Sequence, residues 1–193
     1  MRWFLLIARG LAAMSLSSCV GTTAAIPDQQ QKSLQALQLF NPDASPRFSV
    51  DLACSEKYGS CATPENIFSN WARSNNISLH VIASGDAVLV TGRSGSGSQG
   101  AFRYRITIQL EPVVMPSFDE SGGVHGNMSS GYMPPKVGYT ATLRVFEAAS
   151  AKMLLEVHAH DQRIADDKTD ASAYFRLEME ALINALGPAH PVR

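Results

Sequence analysis

The chain has 193 residues, of which 45% are apolar and 17% charged, and its formal net charge is −1. That length suits one folded domain plus a short additional segment, and the apolar share is large enough to offset the ordering entropy of a core, which excludes a globally disordered chain. Lys and Arg number 16 against 17 acids and are scattered rather than gathered into a stripe, so the electrostatic footprint of a nucleic-acid binder is missing.

Residues 1 to 18 begin with Arg2, run through Trp3, Phe4, Leu5, Leu6, Ile7 and Ala8, meet a second charge at Arg9, and continue from Gly10 to Leu16 before Ser17 and Ser18. A charged start, an apolar stretch and small residues at its end form the pattern of a secretory signal peptide. A membrane-spanning anchor needs about 20 apolar residues, and neither this run nor any later one reaches that length. Leu16-Ser17-Ser18-Cys19 resembles the bacterial lipobox. The resemblance implies cleavage before Cys19 and acyl chains, palmitate among them, on that residue. At about 0.8 kcal/mol per buried methylene, three chains hold a protein to its membrane far more firmly than one. Val20 stands where the family's inner-membrane retention signal has Asp, which implies an outer-membrane address facing the periplasm. Loss of Arg2 and Arg9, with no acid, leaves the mature chain at about −3.

With Cys19 assigned to lipid, Cys54 and Cys61 remain as an even pair. In an oxidising compartment they should form a disulfide around the polar Ser55–Ser60 loop, contributing about 2 to 3 kcal/mol on loop-entropy grounds. A redox or metal-binding dithiol would favour Cys-x-x-Cys spacing or nearby His ligands, and neither is present in the sequence around them.

Residues 19 to 46 follow as the lipidated cysteine and a flexible tether rich in Thr, Ala, Gln, Asp and Pro, with a short helix around Leu34, Leu37 and Phe40. As a random coil, such a tether has a reach of roughly 30 Å. Residues 47 to 188 read as a single domain, and 189 to 193 as a disordered tail. Phe48, Val50 and Leu52 alternate with Arg47, Ser49 and Asp51, the pattern of a half-buried strand. Thr63-Pro64-Glu65 supplies a helix start, Ile67, Phe68, Trp71 and Ala72 share a face, and Asn75-Asn76 closes the helix. Ile77 to Ile82 and Ala87 to Thr91 predict a hairpin around Ser84-Gly85-Asp86. Phe102, Tyr104, Ile106, Ile108 and Leu110 predict the core face of a strand whose other face, from Arg103 to Glu111, is wet. Prolines and glycines make residues 112 to 136 a long loop. Val137 to Glu147 and Met153 to Ile164 predict a second strand pair. A last helix begins at Thr169 or Asp170, carries Phe175, Met179, Leu182 and Leu186 on one stripe, and stops at Gly187-Pro188.

This order predicts an α+β fold, an antiparallel sheet of about five strands with an early helix and a C-terminal helix packed on one face. The stretch Val137 to Val157, a strand pair turning at Glu147 and Ser150-Ala151 ahead of a terminal helix, resembles small periplasmic lipoproteins of the penicillin-binding-protein activator and curli-secretion type. Their cores share a TolB-amino-terminal-like α/β domain. They often carry an acid and Thr-Gly in that turn, where this chain has Glu147 and Ser150-Ala151. No functional residue carries over.

Gly95-Ser96-Gly97-Ser98-Gln99-Gly100 matches the dinucleotide fingerprint in letters, yet the sequence after it alternates as a strand, whereas pyrophosphate needs a helix N-terminus. His158 and His160 would share one side of a strand, with Asp161 and His125 as further ligand candidates and Glu156 beside them; two imidazoles without a definite third ligand read as a solvated face, and no metal is assigned. Asp166, Asp167 and Asp170 lack the alternating oxygens of a calcium loop and read as helix capping. No acyl-transfer motif is present in the sequence. Met128, Tyr132 and Met133 in the long loop form a candidate partner contact, since Met and Tyr adapt to irregular surfaces.

The sequence therefore predicts a non-catalytic, lipid-anchored envelope protein that binds or helps assemble an envelope partner, with no cofactor, no identifiable small-molecule substrate and no nucleic acid. The alternatives are a subunit of an outer-membrane secretion or pore assembly, and a metal-binding periplasmic enzyme.

Overall fold

In the computed structural model of the protein, residues 26–93, 102–119, 132–165 and 170–187 are described. Strand β1 (Phe48–Cys54) is followed by helix α2 (Ala62–Ser74), which crosses over to β2 (Ser78–Ile82); helix α1 (Asp28–Ala36) precedes them. Then come α3 (Val88–Thr91), β3 (Tyr104–Met115), β4 (Phe118–Asp119), β5 (Tyr132–Met133), β6 (Lys136–Glu147), β7 (Met153–Ile164) and α4 (Ala171–Leu186). The main sheet has five strands in the order β2-β1-β3-β6-β7. The α+β class, the five strands, the early helix and the C-terminal helix are as the sequence predicts. The pairing is not uniformly antiparallel: β1 runs parallel to both β2 and β3, and only β3–β6 and β6–β7 are antiparallel. The crossover through α2 is what permits the parallel join, because a hairpin turn cannot connect parallel strands.

The predicted hairpin after β2 does not form. Residues 88–91 turn into a short helix because the Asp86 carboxylate accepts a hydrogen bond from the Val88 N–H at 2.9 Å and Gly92, at φ 65°, ends the turn. A run of five apolar and polar residues is too short for periodicity to separate strand from helix. The predicted long loop also shrinks, since β3 continues through Met115 and β4 pairs antiparallel with β5.

One face of the sheet is filled by α2 and α4. Phe68 and Trp71 from α2 and Phe175, Met179, Leu182 and Leu186 from α4 are buried against Val50, Ile106, Ile108 and Leu143 of the sheet. Each such side chain contributes about 1.5–3 kcal/mol when fully buried. Trp71 stacks on Phe48, with ring centroids 6.3 Å apart, and meets Phe68 edge-on at 6.1 Å. Asp170 caps α4 by accepting from the Ser172 N–H at 2.9 Å, as the sequence suggests. The cap of α2 is Cys61 rather than Thr63, leaving Pro64 within the first turn, where its missing N–H costs little.

The expected tether needs the largest correction. From Ile26 onward the chain belongs to the body: Ile26, Leu34 and Leu39 are 2%, 1% and 3% exposed, and Phe40 packs edge-on against Phe48 at 5.3 Å. The apolar positions are sparse among glutamines and prolines, yet Ile26, Leu34 and Leu39 join the core, Phe40 packs against it, and α1 lies beside α4 and β7. Leu34→Ala should therefore destabilise the protein by about 2–5 kcal/mol in urea denaturation, whereas a residue in a free tether would change stability by less than about 0.5 kcal/mol.

The turn between β6 and β7 places Ala151 at φ 53°, the left-handed region that disfavours a Cβ. Ala151→Gly should raise stability by about 1 kcal/mol in the same measurement.

Candidate partner-binding face

The second face of the sheet is polar, and strand register sets out its rows. Register and alternation put His80, Asp51, Thr107, Arg144 and Glu156 in one row from β2 to β7. The next row is Ala53, Gln109, Thr142 and His158, and beyond it lie Glu111, Thr140 and His160. The predicted wet face of β3 is thus wet only toward its C-terminal half, since Arg105 is 8% and Thr107 1% exposed.

The cover over the first rows is α3. Leu89 O accepts from Thr107 Oγ1 at 3.1 Å and from Arg144 Nη1 at 3.3 Å, and Gly92 O accepts from Arg105 Nη1 at 3.0 Å. Three donors on the sheet thereby satisfy carbonyls that a helix end leaves open. Gly92 admits no side chain, because a Cβ would stand 2.5 Å from the Phe146 ring.

Two acid-centred groups flank this cover. At one end Asp51, 7% exposed, lies 3.3 Å from His80 Nδ1 and 3.5 Å from Arg105 Nε. Asp51 Oδ2 and Arg105 Nε are close enough to attract yet not aligned for a hydrogen bond. At the other end Arg144 Nε donates to Glu156 at 2.6 Å and His158 Nε2 lies 2.9 Å from the same carboxylate, while Thr142 Oγ1 is 3.3 Å from His158 Nδ1. The Arg144 hydrogen bond is the main force holding the Glu156 carboxyl below its ordinary range, against burial and with help from His158.

Beneath α4, on the helix-covered face, a third group forms. Arg163 Nη2 donates to Asp161 and Glu178, each at 2.9 Å, and its guanidinium lies 4.5 Å from the centre of the Tyr174 ring. Tyr174 OH donates to Asp161 at 2.9 Å. Burial alone would raise the Asp161 carboxyl, but hydrogen bonds from Arg163 and Tyr174 outweigh it and hold the group low. Burial and then Asp161 push Glu178 up, and burial drives the phenols of Tyr139 and Tyr174 well above their ordinary values. The Tyr139 hydroxyl is buried without a partner among the described residues.

The residues singled out by sequence distribute unevenly. Cys54 is bonded to Cys61, as expected. Cys19, His125, Met128, Asp166, Asp167 and the 95–100 glycine run lie outside the described residues; Tyr132 and Met133 form β5. His158 and His160 do share the exposed side of β7 with Glu156, but Asp161 points to the opposite face and is held by Arg163 and Tyr174, so it does not join them. Sequence reasoning missed the two ion pairs, Asp51 with Arg105 and Glu156 with Arg144. The available signal was charge inside strands of otherwise apolar alternation.

No family model matches the sequence, and no curated protein matches it significantly. Among solved structures, it is similar to the PelC dodecamer from Paraburkholderia phytofirmans, at 17% identity over 74% of this chain and 88% of that one, with a TM-score of 0.41. It is also similar to a minor lipoprotein from Acinetobacter baumannii, at 10% identity over 72% and 86%, TM-score 0.32. For lipoprotein GNA1162 from Neisseria meningitidis the values are 12% identity over 70% and 96%, TM-score 0.29. No functional assignment rests on these distant likenesses.

What the face can do chemically is hydrogen-bond to a partner. The charged groups near α3 are engaged with one another, while Thr140, His158, His160 and Gln162 stay exposed on the open half. Because the folded Glu156 carboxyl sits below its ordinary value, its ion pair contributes stability above the unfolded carboxyl's range, near pH 4.3, and loses it as pH falls through the folded value. Glu156→Gln should be less stable than the native sequence at pH 7, and the difference should shrink on acidification in urea denaturation followed from pH 7 to pH 3.

Proposed function

We propose that this chain is a non-catalytic lipoprotein of the bacterial envelope, anchored through lipid on Cys19 to the outer membrane and facing the periplasm, that binds or helps assemble an envelope protein. The observation that carries this reading is the cysteine usage. Cys54 and Cys61 are joined to each other, so the remaining cysteine of the three is the one that ends Leu16-Ser17-Ser18-Cys19. A structural disulfide suits an oxidising compartment, and a lone cysteine after an apolar leader suits acylation. Among the described residues no helix is long and apolar enough to cross a membrane.

The docking surface in this reading is the open half of the sheet, from Gln109 and Thr142 to His158 and His160. Its side chains offer donors and acceptors, which suits a polar protein surface rather than lipid. The contact assigned by sequence to Met128, Tyr132 and Met133 remains part of the proposal, since β3 and β6 flank that segment.

Two measurements test it. Mass spectrometry of the protein from its native host should find a mature chain that begins at an acylated Cys19; an unmodified chain still starting at Met1 would sink the anchor. A photocrosslinker at Thr142 should capture an envelope protein in intact cells, and one at Leu177, exposed on α4, should not. Capture at Leu177 alone would move the docking site off the sheet, and capture of further copies of this chain in rings would favour the pore-assembly alternative.

A further inference from the structure

The corner between β1 and α2 gathers two sulfurs and a carboxylate. Cys54 ends β1, Cys61 caps α2, and their Cα atoms are 5.8 Å apart. One turn into α2, Glu65 brings a carboxylate oxygen to the pair, and the two sulfurs and that oxygen all lie within 4.8 Å of one another. Glu56 approaches from the loop, its Oε1 accepting from the Cys61 N–H at 3.3 Å. We propose that reduction of the Cys54–Cys61 bond turns this corner into a site for a zinc-like divalent cation, held by both sulfurs and Glu65.

The chemistry balances as thiol–disulfide exchange. A thiolate of a dithiol reductant attacks Cys54 Sγ, half-buried where Cys61 is only 3% exposed. The S–S bond breaks and its electron pair leaves on Cys61 Sγ. The second thiol of the reductant resolves the mixed disulfide and releases Cys54, so the reductant departs as a disulfide. Cys61 leaves at the start of a 13-residue helix, where unpaired backbone N–H groups favour a thiolate. The cation then displaces the thiol protons. Two thiolates and one carboxylate form a set suited to tetrahedral zinc-like ions, whereas calcium and magnesium prefer all-oxygen cages. Glu56 or water completes the fourth position. The ligands come from a strand end and a first helical turn, so their spacing is set by the fold rather than by a free loop.

The test uses the full chain purified in detergent, reduced with a phosphine and titrated with Co²⁺ or Cd²⁺. The reduced protein should bind a single equivalent with sulfur-to-metal charge-transfer absorption, and the oxidised protein should show none. Glu65→Gln should weaken binding by about tenfold or more while far-UV circular dichroism stays that of the reduced native sequence. No stoichiometric binding by the reduced chain would overturn the site, as would loss of folded structure on reduction that metal does not restore. Equal affinity in Glu65→Gln would also overturn it, because the metal would then be held by a bare dithiol.

Discussion

The two central strands set the terms for the molecule. Six of the seven residues of β1 are buried, and β3 beside it buries both faces of its first half. Such strands cannot present one wet side, so the chain must supply two different covers. On one face the cover is apolar and thick, two helices and the residues around α1. On the other it is a four-residue helix and its C-terminal Gly92, whose carbonyls receive hydrogen bonds from Arg105, Thr107 and Arg144. The second cover is thin because the side chains below it are polar and can hold it by hydrogen bonds rather than by area.

That arrangement accounts for why charged residues sit where apolar ones would be expected. Breaking one partner of a buried ion pair costs about 3–5 kcal/mol, so Asp51 and Arg105 are bound to each other's presence even at a separation too loose for an aligned hydrogen bond. Glu156 and Arg144 repeat the theme at the sheet's far side, where solvent reaches both. The third acid–arginine group, around Arg163, ties the end of β7 to α4 and gives the helix a polar fastening beside its apolar stripe.

Much of this was legible in the sequence, and the rest was not for identifiable reasons. The alternation through Ile106 and Ile108, the apolar stripe of α4 and the even cysteine pair each depend on a local period or count, and each is found in the structure. Parallel pairing of β1 with β3 is invisible to such patterns, because neighbours distant in sequence decide it. The same holds for Asp51, Arg105 and Arg144: each looks like an ordinary solvent-facing strand residue until α3 is placed above them. His158 and His160 share one side of β7, as the period of two predicts, and by the same period Asp161 faces the other way. The short helix around Leu34 is legible, but its burial in the body is not, because its few apolar positions stand in a polar composition.

The burial of Ile26 sets how far the body can stray from its proposed attachment. Seven peptide steps separate Cys19 from Ile26, and even fully drawn out they span only about 25 Å. Under the proposed anchor, a leash of that length would keep the domain within about one domain diameter of the bilayer. A protein partner would then have to come to that surface, rather than be sought across the compartment.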